Sequence, residues 1–100
     1  MLDFKSTKRF DKALKKLAKG NASIHPVIIK AIDAVRTNPT IGELKQGDLR
    51  GIRCLDFYFK STNYELAYDL EEDEDGNITL VLLLLVGTRE NFYNELKRFI

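Results

Sequence analysis

The chain has one cysteine and one histidine in 100 residues. Cys54 therefore has no partner for an intramolecular disulfide. Together Cys54 and His25 fall short of the four ligands a structural zinc site needs. Long apolar runs are also missing. Met1-Leu2-Asp3-Phe4-Lys5 lacks the apolar core of a signal peptide. The longest apolar stretch, Ile78 to Val86, is far short of the ~20 residues a membrane helix requires. A cytoplasmic protein without membrane contact is expected. No internal repeat or low-complexity tract is visible, and the two prolines and six glycines are ordinary for a folded domain. The length suits a single domain, residues 1–100, with one small core.

Charge is plentiful but uneven. The formal net charge is +1, yet Glu71, Glu72, Asp73, Glu74 and Asp75 stand together. Leaving those five out of the fifteen acids, sixteen basic residues face ten acidic ones. A basic body with one acidic loop fits an anionic partner, either nucleic acid or acidic protein, and fits equally a solvated charged surface.

Hydrophobic periodicity supplies the elements. Residues 2–5 read as a short edge strand. Ser6 or Thr7 can cap a helix in which Phe10, Ala13, Leu14, Leu17 and Ala18 make one apolar stripe. Its opposite face carries Lys8, Arg9, Lys12, Lys15, Lys16 and Lys19, and Gly20 ends it. A second helix is predicted to start between Ser23 and Pro26 and to bury Ile28, Ala31, Ile32 and Val35. Asn38-Pro39 stops it. Residues 40–51 read as a connection.

Three strands are predicted next. In Ile52–Lys60, Leu55, Phe57 and Phe59 alternate with Asp56, Tyr58 and Lys60. Ser61-Thr62-Asn63 reads as the turn. In Tyr64–Leu70, Tyr64, Leu66, Tyr68 and Leu70 alternate with Glu65, Ala67 and Asp69. Asp75-Gly76-Asn77 marks a second turn. Ile78–Val86 suits a central strand covered on both faces. A last helix, Glu90–Phe99, places Phe92, Leu96 and Phe99 on one side. The order β-α-α-β-β-β-α predicts an α+β domain, with a helical hairpin on one face of a small antiparallel sheet. The other face, carrying Asp56, Tyr58, Lys60, Glu65 and Asp69, is expected to be polar and open.

Three segments carry a family resemblance. Leu44-Lys45-Gln46-Gly47-Asp48-Leu49-Arg50-Gly51-Ile52-Arg53 resembles the entrance to the sheet in RelE/ParE toxins. Phe57-Tyr58-Phe59-Lys60 with Tyr64-Glu65-Leu66-Ala67-Tyr68 is similar to their paired strands. Val86-Gly87-Thr88-Arg89-Glu90-Asn91-Phe92-Tyr93-Asn94-Glu95-Leu96-Lys97-Arg98 resembles their C-terminal signature. The resemblance spans nearly the whole chain. It implies the toxin of a type II toxin–antitoxin system, neutralised by a small antitoxin protein.

RelE-like members cut messenger RNA on the ribosome, whereas ParE-like members inhibit DNA gyrase and are not nucleases. The RelE-like reading makes the chain a metal-independent endoribonuclease, or mRNA interferase, without cofactor. The alternatives are a gyrase inhibitor or a degenerate toxin that only binds its antitoxin. RNA cleavage through the 2′-hydroxyl needs a base, a cation for the phosphorane and an acid for the leaving oxygen. By position in the signature, Arg89 is the candidate for transition-state stabilisation; the alternative is an exposed residue before a helix. Tyr93 is a candidate for stacking or proton donation, or a rim residue over the core. Lys60 is a candidate for holding the RNA backbone, or a solvated strand-end lysine. Arg53, Arg50, Tyr58 and Lys45 are the expected substrate-binding residues; for Arg53 and Arg50, at the entrance to the sheet, the favoured alternative is a structural or electrostatic role. The chain departs from the pattern at Glu65 and Asp56, which put carboxylates where the resemblance implies bases and so argue against an anionic substrate.

Overall fold

The computed structural model describes every residue from Met1 to Ile100. Its elements follow the chain as β1 (Asp3–Ser6), α1 (Lys8–Gly20), α2 (Ile24–Thr37), β2 (Glu43–Leu44), a 3-10 turn (Gly47–Leu49), β3 (Arg53–Phe59), β4 (Thr62–Glu72), β5 (Ile78–Thr88) and α3 (Phe92–Lys97). The sheet order is β1-β5-β4-β3-β2. β1 runs parallel to β5, and the other pairs are antiparallel. No helix is long and apolar enough to cross a membrane.

Thr7 is the residue that caps α1. Its side chain accepts from the Phe10 N–H at 3.1 Å, satisfying one orphan donor of the first turn. The Thr7 N–H donates to the Leu83 carbonyl and its hydroxyl to the Leu84 carbonyl. The start of α1 is thereby fastened to β5 just where β1 stops pairing with it, at Leu83. α1 and α2 bury Phe10, Ile24, Ile28, Ala31, Ile32 and Val35 against Leu66, Tyr68, Val81, Leu83 and Val86. Leu66, Val81 and Leu83 are fully buried, and each contributes on the order of 1.5–3 kcal/mol through lost apolar exposure.

The opposite sheet face was expected to be open. It instead holds a second core: Leu49 and Ile52 from the connection, Cys54, Ala67 and Leu85 from the sheet, and Phe92 and Leu96 from α3. α3 thus lies across the sheet from the helical hairpin. Its two apolar residues, four apart, need a surface, and Ala67 leaves room for them in mid-sheet. The alternation along β3 and β4 is as expected, but its polar phase includes Cys54 and Ala67, which supply that surface. A register shift between Ala67 and Tyr68 lets Leu84 bulge and returns Leu85 to the Ala67 side.

Three boundaries move. The connection 40–51 contains β2 and the 3-10 turn. The β3–β4 turn is Lys60-Ser61, with φ of +48° and +65°, because Phe59 pairs Thr62 and Tyr58 pairs Asn63. That is the geometry of a two-residue primed turn, usually signalled by Asn-Gly, which this chain lacks there. β5 extends to Thr88, where Gly87 and Thr88 pair Glu65 and Tyr64. In the acidic loop, Asp73 accepts from the Asp75 and Asn77 amides. Those bonds, led by Asn77, hold its carboxyl below the usual range.

Candidate functional site

The half of the sheet face beside α3 collects the chain's polar chemistry. Cross-strand pairing aligns Glu43 with Cys54, Cys54 with Ala67, Asp56 with Glu65 and Glu65 with Gly87. Period two puts all of these on one face. Gly87 presents no side chain beside Glu65, and Phe92 lies 3.7 Å from where its Cβ would stand. Glu65 is consequently covered. It is 3% exposed, accepts the Tyr93 hydroxyl at 2.5 Å through Oε1 and has no protein partner for Oε2. A buried carboxyl with one unmatched oxygen carries a desolvation cost that only its single hydrogen bond offsets.

Lys45 completes the cluster. Its Nζ lies 2.6 Å from Glu43 Oε1 and 4.9 Å from the Tyr93 ring centroid. Burial alone would lower the Lys45 pKa, but contacts with Glu43 and Tyr93 outweigh it and leave the ammonium above its usual range. Glu43 is held below the usual carboxyl range by its hydrogen bond to Lys45 and by the Lys45 charge, with a smaller contribution from Arg89. Burial, then the hydrogen bond to Glu65, push the Tyr93 phenol up to about 12. Burial, reinforced by Glu65 and Glu43, pushes the Cys54 thiol up to about 12 despite the opposing Lys45 charge. Neither group is poised to lose its proton near neutrality. Beside the cluster lies a shallow depression of about 470 Å³ lined by Lys45, Gln46, Gly47, Asp48, Leu49, Tyr93 and Lys97.

Of the residues expected from the sequence, Tyr93 and Lys45 meet here. Arg89 is exposed just beyond β5, its N–H bonded to the Asn63 carbonyl and its guanidinium free of any ion pair. Tyr58 is on the same face, 68% exposed. Lys60 sits in the β3–β4 turn with its Nζ 5.3 Å from the Phe59 ring centroid, and no hydrogen bond joins it to Arg89 or Tyr93. Arg53 has the parity of Leu55 and Phe57 and pairs with Tyr68, so it faces the helical-hairpin side. Its guanidinium donates to the Gly42 carbonyl at 2.9 Å and to the Thr40 carbonyl at 3.4 Å, which ties the segment leading into β2 to β3. Arg50 is exposed beyond the 3-10 turn. Glu43 was not foreseen, although its spacing of two from Lys45 in extended chain would have put both on one side. Asn63, whose Oδ1 is buried without a partner, carried no sequence signal.

A helical hairpin, a five-stranded sheet and a short C-terminal helix over the second face define a RelE-type toxin fold. The crystal structure of the toxin–antitoxin complex RelBE2 from Mycobacterium tuberculosis is similar, with a TM-score of 0.64 and 22% identity over 88% of this chain and 98% of that one. The chain belongs to the ParE-like toxins of type II bacterial toxin–antitoxin systems, whose family model matches residues 4–97. No curated protein sequence matches it.

Proposed function

We propose that this toxin works by binding a protein target of the DNA gyrase kind rather than by cutting RNA, and that a small antitoxin protein holds it inactive. The observation that carries this reading is the engagement of Tyr93 with the buried Glu65. RNA cleavage needs a free base and a free acid beside the scissile phosphate. Here the phenol is committed to a carboxyl, and its pKa of about 12 makes it a weak acid at neutral pH. Lys45 is matched by Glu43. Asp56 faces Glu65 across β3 and β4. Two cations, Lys45 and Arg89, thus stand among three carboxyl groups, a poor setting for a polyanion. Lys60, in the β3–β4 turn, shares no hydrogen bond or ion pair with these groups. The exposed Tyr58, an amphipathic anchor suited to protein contact, fits the same reading.

Purified toxin added to a gyrase supercoiling reaction is expected to block supercoiling, and equimolar antitoxin to restore it. Unimpaired supercoiling at a large molar excess of toxin would rule the reading out.

The second reading, a ribosome-dependent endoribonuclease, is favoured by Arg89, whose unpaired guanidinium lies beside the cluster and can bind two phosphate oxygens. It predicts new transcript 5′ ends within minutes of induction, abolished by Arg89→Ala.

A further inference from the structure

Four side chains on the α3 side of the sheet form a square that nothing in the chain fills. Tyr58 pairs with Asn63 and Asp56 with Glu65 across β3 and β4, so all four share one face. Opposed residues stand ~5 Å apart, and neighbours along a strand ~7 Å apart. Three corners accept hydrogen bonds. Glu65 is 3% exposed, and its Oε2 has no protein partner. Asn63 Oδ1 is likewise buried without one. Asp56 is exposed and takes part in neither of the chain's ion pairs, Arg36–Asp33 and Lys45–Glu43. The fourth corner, Tyr58, offers an aromatic ring to solvent. Carboxyl groups directly opposed on a sheet repel, and buried oxygens without a donor carry a desolvation cost. The chain's own cations leave both costs standing. Lys45 is held by Glu43, Lys60 Nζ lies near the Phe59 ring, and Arg89, whose N–H bonds the Asn63 carbonyl, makes no ion pair.

We propose that this square receives one arginine side chain of the target protein. The assignment rests on the reading that this face meets a protein target. A guanidinium presents its N–H donors in a flat fork and stacks on aromatic rings. It can therefore bond acceptors at three corners while lying against the fourth. A lysine ammonium is a compact point charge and does not span them. An anion is repelled by Asp56 and Glu65. Tyr93 occupies only Oε1 of Glu65, which leaves the second oxygen spare. Both orphan oxygens are covered in the free toxin. The arginine enters by moving their cover aside, and the donors it brings to Glu65 Oε2 and Asn63 Oδ1 are what favour entry.

The probe is Nα-acetyl-arginine amide, titrated into full-length 15N-labelled toxin without gyrase and followed by the amide signals of Tyr58, Asn63 and Glu65. A Kd on the order of 1 mM is expected for so small a ligand, with the lysine counterpart about tenfold weaker. Asp56→Asn and Asn63→Ala should each weaken arginine binding about tenfold. Neither residue belongs to a core, so both variants should keep the parent's circular dichroism spectrum. Glu90→Gln, which removes an exposed charge outside the square, should leave binding unchanged. No saturable shift of these signals, equal binding of the lysine compound, or parent-like binding by both variants would each overturn the proposal. Binding seen only in Arg89→Ala would also overturn it, since Arg89 would then fill the square itself. In the supercoiling assay the two variants should need about tenfold more toxin than the parent for equal inhibition, and parent-like potency would again overturn it. A parent toxin that binds the arginine amide at the square yet leaves supercoiling intact would sink the gyrase reading alone.

Discussion

Tyr93→Phe removes one oxygen and strands one carboxyl. A hydrogen bond to a charged group contributes ~1.5–3 kcal/mol, and the partial exposure of Tyr93 places it toward the lower end. Glu65 Oε2 already lacks a partner, so the substitution leaves both oxygens of a nearly fully buried side chain unmatched. A loss of about 2 kcal/mol follows, a large share of the 5–15 kcal/mol typical of such domains. At roughly 4–8 °C per kcal/mol for a chain of this size, Tm should fall by about 8–16 °C. Glu65→Gln removes the charge but keeps an oxygen to accept the phenol, and should cost about 1 kcal/mol. The double variant should then cost about 2 kcal/mol instead of 3, a coupling of about 1 kcal/mol. Urea unfolding at pH 7 measures all three, with unchanged m-values required. A Tyr93→Phe protein within about 0.5 kcal/mol of the parent, or strict additivity in the double variant, would mean the pair does not hold α3 to the sheet.

Three further outcomes are expected. The folded-state pKa values of Cys54 and Tyr93, both about 12, lie above ordinary values of 9.0 and 10.0. Their protonated forms are therefore favoured by folding, and this stabilisation is complete below pH 9 and lost as pH rises toward 12; a urea midpoint that stays flat from pH 8 to 11 would contradict it. Tyr68 is fully buried, accepts from the Gly42 N–H at 2.8 Å and donates to the Pro39 carbonyl at 2.7 Å. Tyr68→Phe should cost about 2–4 kcal/mol in urea unfolding by leaving both backbone groups unmatched. Lys60→Asn/Ser61→Gly suits the positive φ angles of the β3–β4 turn and should stabilise by about 1 kcal/mol without reducing growth arrest, whereas loss of arrest would return Lys60 to the functional surface.

The sequence and the structure agree where periodicity is strong. The 3.6-residue stripe from Phe10 to Leu17 and the alternation through Leu55, Phe57 and Phe59 depend only on local geometry, and both elements form where they are predicted. The second core has no periodic signature because its members are scattered: Leu49, Cys54, Ala67 and Leu85 come from four segments, and none dominates its own neighbourhood. The burial of Glu65 has no local signature for the same reason. Its strand parity was right, but its cover comes from Tyr93 and Phe92, nearly 30 residues away, over a glycine that leaves the space. β2 has only two residues and no pattern to show. Arg53 differs, since its parity with Leu55 already put it on the helical-hairpin side.

The central claim is that the Glu65–Tyr93 face binds a protein target and cuts no RNA. The most direct measurement is a paired assay of one purified toxin preparation: gyrase supercoiling on plasmid DNA, and transcript 5′-end mapping on translating ribosomes. Blocked supercoiling with intact messages is the predicted result. Cleaved messages that become intact with Arg89→Ala, alongside normal supercoiling, would contradict it.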